Sequence, residues 1–552
     1  MSPQPPGPGS WTLDATHCER AHSGYLSSRF AENYTQGMRE SMARYGALLD
    51  TLECRLVDGF TYTSPRPLGA PPGARTPPAW LFWMLVRLVP PLRARTAVAA
   101  EVMRTRRWRE DVHHFSTVLW PRWQQRLRAL AQQEPTRLDD AALGEHLREC
   151  DAALWDGLGE HFQLSLATIV PVGDFAAHVV EWTGCTPGDV MALLRGHSPA
   201  SLDALQTLDA VVSALRTRPD ARAWLDAPPA EALERLRTDE GELGAAARTW
   251  LWEVGERVLS GHDVHEPRAI EVPGVMVRSL VQRLNAPATT SPQEDPVAAL
   301  RTRVPAEHRA TFDELLHEAR LAHPLRDGRS TVDFWTMGLA RRALLEAGQR
   351  LTTRGRLRAP EHTLDLRLDE VLQLLAGATS PDATEAERRY TTRSRATCSE
   401  MPELLGPPPE APPPAELLPA PAARVARAMN LYIDLMFREA DRRRDDNTVR
   451  GIAASPGRTV GQARLVLGPE DFSRIVAGDV LVARLTTPAY NCVLPLLSGI
   501  ATERGGLLSH PAIVAREYGM PGVVGARGIL ELIRDGDRIE VDGDAGTVRV
   551  LR

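Results

Sequence analysis

The residues best suited to chemistry lie in one short run, Thr502-Glu503-Arg504-Gly505-Gly506-Leu507-Leu508-Ser509-His510-Pro511, which leads into the apolar-periodic stretch Ala512-Ile513-Val514-Ala515-Arg516-Glu517. The spacing puts His510 at the start of a helix, with Ser509 as N-cap and Pro511 in the first turn, where a missing N–H does no harm. A helix N-terminus offers unpaired N–H groups and a partial positive charge, which suits a phosphate. The same field disfavours imidazolium, so His510 is expected to stay neutral and nucleophilic. Gly505 and Gly506 let backbone N–H groups approach phosphate oxygens, Arg504 and Arg516 are candidates for bidentate contact, and Thr502 and Ser509 complete the candidate phosphate loop. The chemistry expected is phosphoryl transfer through His510. On spacing alone, a histidine that only starts a helix after a tight Gly-Gly turn fits the same residues.

Other constellations are weaker. His262-Asp263-Val264-His265-Glu266 has the density of a metal site but no third, remote ligand. It reads as a solvated turn, and no metal is expected. His113-His114 reads as a helix end, although a hydroxyl-activating base is expected somewhere in this half. His178 reads as a satisfied buried histidine. Asp14, His17 and Cys18 are adjacent in sequence, which is not triad geometry. Trp80, Phe82 and Trp83 read mostly as core, with some lining an apolar acceptor pocket.

Composition narrows the field. A chain of 552 residues with 43% hydrophobic and 25% charged residues has the make-up of a globular protein of two or more domains. A formal net charge of −6 with interspersed signs gives no footprint for nucleic acid. The six cysteines (Cys18, Cys54, Cys150, Cys185, Cys398, Cys492) are scattered without CxxC spacing, as expected of reduced thiols in a cytoplasmic protein. The opening MSPQPPGPGS is no signal peptide, and the apolar stretch 80–89 is too short to span a bilayer. No membrane partner is expected, and Arg87 inside that stretch suggests a core helix. Every one of the 65 basic residues is arginine. Without lysine there is no Walker A loop, PLP Schiff base or Ser-x-x-Lys nucleophile.

The elements that must position His510 follow from periodicity. Residues 1–10 read as a disordered tail and 11–401 as a largely helical region, with helices over 30–52, 80–88, 139–155, 201–215, 334–351 and 366–375. Residues 285–296 form a polar loop. Residues 402–422 form a Pro-rich linker, roughly 20 residues that at about 3.1 Å each reach on the order of 60 Å. Residues 423–450 supply a helix and a hinge. From 451 to 552 short β-like runs alternate with short helices, separated by turns such as Asp535-Gly536-Asp537. The fold class expected is multidomain: a large, mostly α-helical region followed by a small C-terminal α/β domain.

Four stretches in order, Gly451-Ile452-Ala453-Ala454-Ser455-Pro456-Gly457, Asp479-Val480-Leu481-Val482, Thr502 to His510, and Pro511 to Gly525, resemble the swivelling phosphohistidine (mobile) domain of PEP-utilising enzymes, a family that includes PEP synthase, pyruvate phosphate dikinase and rifampicin phosphotransferase. The resemblance covers residues 451–552 and implies that His510 is the phosphorylated histidine. Leu508-Ser509 stands where dikinases often have Thr-Ser, which tilts the likeness toward rifampicin phosphotransferase. The helical bulk resembles that enzyme's acceptor-binding domain more loosely, 301–350 most of all. No ATP-grasp domain or PEP-binding barrel is recognisable. The resemblance therefore implies a phosphotransferase component, incomplete alone, with no tightly bound cofactor. Mg-ATP or PEP would charge His510 through a separate ATP-grasp protein, and a small hydroxylated substrate, such as an antibiotic or other secondary metabolite, would receive the group. A non-enzymatic phosphocarrier or a degenerate binding module are the alternatives.

Overall fold

The computed structural model describes residues 3–15, 20–197, 199–259, 263–285, 296–437, 444–445, 447–486, 490 and 493–551. They fall into two compact units, residues 1–174, 262–265 and 329–429 forming one and residues 175–261, 266–328 and 430–552 the other. A helix-rich region precedes a C-terminal α/β sheet domain, the fold class that the sequence pattern implied.

The first unit is helical but also carries a sheet that the helix-period reading passed over. Strands β1 (Trp11–Leu13), β2 (Leu49–Val57), β3 (Phe60–Pro67) and β4 (Leu404–Leu405) form an antiparallel sheet in the order β2-β3-β1-β4. The helix expected over 30–52 runs only over Phe30–Tyr45, because Gly46 takes a left-handed C-cap at φ 71°. Asp58 (φ 52°) and Gly59 (φ 83°) then make the two-residue turn of the β2–β3 hairpin. Residues 3–10, expected as a loose tail, are tied down here at two points: the Trp11 indole donates to Gly7 O (2.9 Å) and Arg66 Nη1 to Pro8 O (3.0 Å). The Pro-rich segment differs in the same way. It is fixed by the β1–β4 pairing, by Thr76 N donating to Glu410, and by Arg87 Nη1 donating to Leu417 O (3.0 Å).

Two more expectations change in this unit. Helix Ala79–Leu88 is not a core helix: only Val86 is buried, whereas Trp80 is 66% and Leu88 67% exposed. Arg87 lies over the Trp83 ring at 4.1 Å, which explains a guanidinium in so apolar a run. The segment 263–265 is not a solvated turn. Asp263 is buried, accepts from Ser23 N (2.8 Å) and from His265 N (3.2 Å), and lies 3.3 Å from His22 Nδ1. Burial alone would raise this carboxyl, but the neighbouring His265 and His22 hold it well below the usual carboxylate range. Among the described residues no group of three or more His, Cys, Asp or Glu side chains is placed to hold a metal. His17, Cys18, His262 and Cys492 lie outside the described residues. His113 and His114 end helix Trp108–His114 in solvent.

The second unit is built on a nine-stranded sheet. Its strands are β5 (Arg444–Asp445), β6 (Thr448–Arg450), β7 (Ile452–Ser455), β8 (Arg458–Val466), β9 (Asp479–Ala483), β10 (Leu497–Thr502), β11 (Gly522–Val524), β12 (Arg538–Asp542) and β13 (Thr547–Val550). The order is β5-β6-β13-β12-β8-β9-β10-β11-β7, with β8 through β11 parallel. Central strands covered on both faces need continuous apolar runs, and β9 is buried throughout. Val480 and Val482 enter one core with Ala501, Val523, Ile539 and Val541. Leu481 and Ala483 point the other way, into a core shared with Leu208, Val211, Leu236, Trp250, Met276 and Leu280 of the unit's helices. Residues 447–450, expected as hinge, belong to the sheet: β6 pairs with β13, and Val550 N donates to Asn447 O (2.8 Å).

Candidate functional site

β9 and β10 run parallel with Ala483 opposite Thr502, so both leave the sheet at the same edge. The carboxyl edge of parallel strands is where such sheets usually hold ligands. Beyond it, Glu503 N donates to Ala483 O (3.0 Å) and Arg504 N to Arg484 O (2.8 Å), which carries the two loops onward side by side. One loop presents Thr486 and the other His510, with Thr486 Oγ1 2.9 Å from His510 Nδ1. Thr486 is buried and His510 half-buried. His510 opens helix His510–Tyr518, with Ser509 at the N-cap position, Pro511 in the first turn and Gly519 (φ 65°) closing the C-terminus.

The residues singled out around His510 take unequal parts. Ser509 makes no capping hydrogen bond; its hydroxyl donates to Gly506 O (2.6 Å). Gly505 is needed for its backbone, since at φ 102° a Cβ would be strained and would meet Ser509 Oγ at 2.7 Å. Gly506 is needed for close approach. Its N–H donates to Met436 O (3.0 Å), and a Cβ there would lie 2.3 Å from Leu435 O, so this N–H serves the helix Ala420–Phe437 rather than a phosphate. Thr502, fully buried, donates to Arg504 O (2.9 Å) and so shapes the loop from inside. Arg516 departs furthest from expectation. It is buried, and donates from Nη1 to Ala454 O (3.1 Å) and from Nη2 to Leu507 O (2.7 Å), tying the loop before His510 to β7. Arg504 is half-buried at the loop's start. Of the set, His510 stands at the helix N-terminus, while Thr502, Gly505, Gly506, Ser509 and Arg516 hold the loop that brings it there.

Sequence reading missed Thr486. Its signal was weak: a hydroxyl residue just past a buried strand, in Leu485-Thr486-Thr487-Pro488. Only the parallel β9–β10 register reveals that a residue 24 positions upstream reaches the histidine.

A second histidine in this unit is buried without a hydrogen-bond partner at Nδ1: His323, on helix Arg309–Thr353. Burial lowers it to about 4, with Asp327 pulling the other way and Arg326, Arg516 and His197 adding to the depression. The folded protein therefore keeps His323 neutral while the unfolded chain takes up a proton near pH 6.5. Its contribution to stability is intact above that pH and falls as pH drops from about 6.5 to about 4, by about 3 kcal/mol. Urea melts across that range should show the slope in the parent and a flatter one in His323→Gln. An equal slope in both would remove His323 as its source.

Residues 475–546 match the PEP-utilising enzyme mobile domain, and residues 166–345 match the rifampicin phosphotransferase fourth domain. The chain is 34% identical over 212 residues to the uncharacterized phosphotransferase YvkC of Bacillus subtilis (strain 168), covering 38% of this chain and 24% of that protein. It is 27% identical over 392 residues to a rifampicin phosphotransferase of Streptomyces sp, covering 67% of this chain and 42% of the other. It is also 25% identical over 567 residues to chondramide synthase cmdD of Chondromyces crocatus, covering 98% of this chain and 14% of the synthase. The chain thus spans less than half the length of each of these relatives. On these matches a stretch similar to the rifampicin phosphotransferase fourth domain is followed by one similar to the mobile domain of PEP-utilising enzymes.

Proposed function

We propose that His510 is transiently phosphorylated at Nε2 and passes the phosphoryl group to a hydroxyl of a small molecule. The observation that carries this reading is His510 at a helix N-terminus on the carboxyl edge of β10, with Nδ1 engaged by Thr486. When Nδ1 donates its proton to Thr486, the ring's lone pair is on Nε2, which is then the nucleophile. The helix N-terminus then stabilises the charge carried by the phosphoryl oxygens. The donor in this reading is Mg-ATP held by an ATP-grasp partner, or PEP. The match of 98% of the chain to 14% of a chondramide synthase favours a secondary-metabolite intermediate as acceptor.

The test is to combine the protein with Mg-ATP and a candidate ATP-grasp partner, or with PEP, and map acid-labile, alkali-stable phosphate by mass spectrometry. Phosphate on the peptide containing His510 is expected. Phosphate confined to other peptides, or none with either donor, would overturn the reading. Thr486→Val keeps the shape of the side chain and removes its hydroxyl. It should slow labelling of His510 about tenfold, the worth of one orienting hydrogen bond, without lowering the melting temperature appreciably. A rate equal to the parent's would show that Thr486 does not orient the ring.

A further inference from the structure

We propose that helix Ala79–Leu88 and the proline strip beside it form a two-fold interface with a second copy of this chain, the aromatic stripe of each copy receiving the prolines of the other. Helix and strip both belong to the first unit. Trp80, Trp83, Met84 and Leu88 recur at i, i+3, i+4 and i+8 and are 66%, 47%, 37% and 67% exposed, whereas Val86 is buried. This is the apolar stripe of a helix that packs against a neighbour, turned toward solvent. Single exposed apolar residues are ordinary, but four on one stripe make a patch of the kind that marks an interaction site.

What lies beside the stripe says what fits on it. Residues 71–78, PPGARTPP, run into the helix, and residues 407–414, PPPEAPPP, run alongside it. The second strip is held at both ends of the helix. Thr76 N, three residues before the helix, donates to Glu410, and Arg87 Nη1, in the last turn, donates to Leu417 O (3.0 Å). Pro78 (φ −52°, ψ 147°) and Pro414 (φ −55°, ψ 132°) end their strips in polyproline-type backbone. Such a ridge is complementary to exposed aromatic faces and loses little entropy on docking, because proline has already fixed it. Within one copy the strip does not cover the stripe, which stays exposed although the two lie side by side. A two-fold axis between helix and strip brings each stripe onto the strip of the other copy and closes the assembly at two chains.

Charge and area favour the same occupant. Arg75 and Arg87 stand with Glu410 and Glu416 in and beside the strips, two of each sign. A balanced patch complements its own copy and gives an anionic lipid surface little to hold. With a whole Trp side chain at about 250 Å², the exposed parts of the four stripe residues come to on the order of 500 Å² per copy. A stable dimer takes about 800 Å² per partner, and the remainder is within reach of the eight exposed prolines of the two strips.

Sedimentation velocity of the full chain from about 0.1 to about 100 μM should show one chain passing to two, with a midpoint on the order of 10 μM, as suits an interface of this size. Trp80→Glu is one test variant; the other combines Pro407→Ser, Pro408→Ser and Pro409→Ser. Each should raise the dissociation constant at least about 100-fold, since every dimer loses the contact twice, and both should melt close to the parent at low concentration. Mixing the two variants is the sharper measurement. The mixed pair keeps one stripe-to-strip contact whole, so it should associate more tightly than either variant does with itself. No gain on mixing would overturn the arrangement, because a stripe packed on a stripe gives none. A parent that stays a single chain throughout would overturn the proposal, and its co-sedimentation with phosphatidylcholine–phosphatidylglycerol vesicles would then assign the stripe to a lipid surface.

Discussion

His510→Ala is expected to abolish acid-labile phosphate on this protein while leaving its fold intact. The ring is half-buried at the first position of its helix, and the helix keeps Pro511 in the first turn and Gly519 at its end, so alanine removes little packing. Stability should fall by no more than about 1 kcal/mol, the range for a partly exposed helix-end position. On the proposed reading the chemical effect has no such bound, because His510 itself is the covalent carrier. Labelling by any donor should drop to background, and His510→Gln, which keeps an amide able to meet Thr486, should fare no better. The measurement pairs filter-bound acid-labile phosphate with a thermal melt of the same sample. Full labelling of a folded His510→Ala protein would move the carrier elsewhere, and the Thr486 contact would then be a packing detail.

How much of this was legible beforehand divides by the range of the interactions. The helix beginning at Ser509-His510-Pro511 is a local matter of cap, proline and period, and the sequence states it. The alternation of Val480 and Val482 with Leu481 and Ala483 is equally local, and with the quoted motifs it made the C-terminal α/β domain readable. The hairpin at Asp58-Gly59 was also written in the chain, but a reading tuned to three- and four-residue spacing overlooked it. Helix Ala79–Leu88 shows the limit of hydropathy: an apolar run says what would gain from burial, not whether anything covers it. The roles of Gly506, Thr486 and Arg516 depend on partners 24 to 71 positions away, at Leu435, His510 and Ala454. Residue type alone could not choose between a phosphate ligand and a backbone tie, since both need a guanidinium or a bare N–H. Parallel strand register decided it, and register is set by the whole sheet.

Arg516→Met tests that decision with the second large effect. If Arg516 contacted phosphate, its loss would weaken labelling and spare stability, because a surface guanidinium contributes little to folding. The structure gives it a different task. The side chain is buried and donates to Ala454 O at the end of β7 and to Leu507 O, three residues before His510. Methionine fills much of the volume but donates to neither carbonyl, leaving two buried acceptors unmatched at about 1–3 kcal/mol each. A loss of about 4 kcal/mol is therefore expected, read as an earlier midpoint in urea with an unchanged slope. At a temperature where the variant is still folded, His510 should take label to the same final extent as the parent, though more slowly if the loop before it has loosened. A stable Arg516→Met protein with labelling lost would reverse the assignment and return Arg516 to the phosphate. Because one carbonyl belongs to β7 and the other to the loop before His510, the same substitution also measures how firmly β7 holds that loop in place.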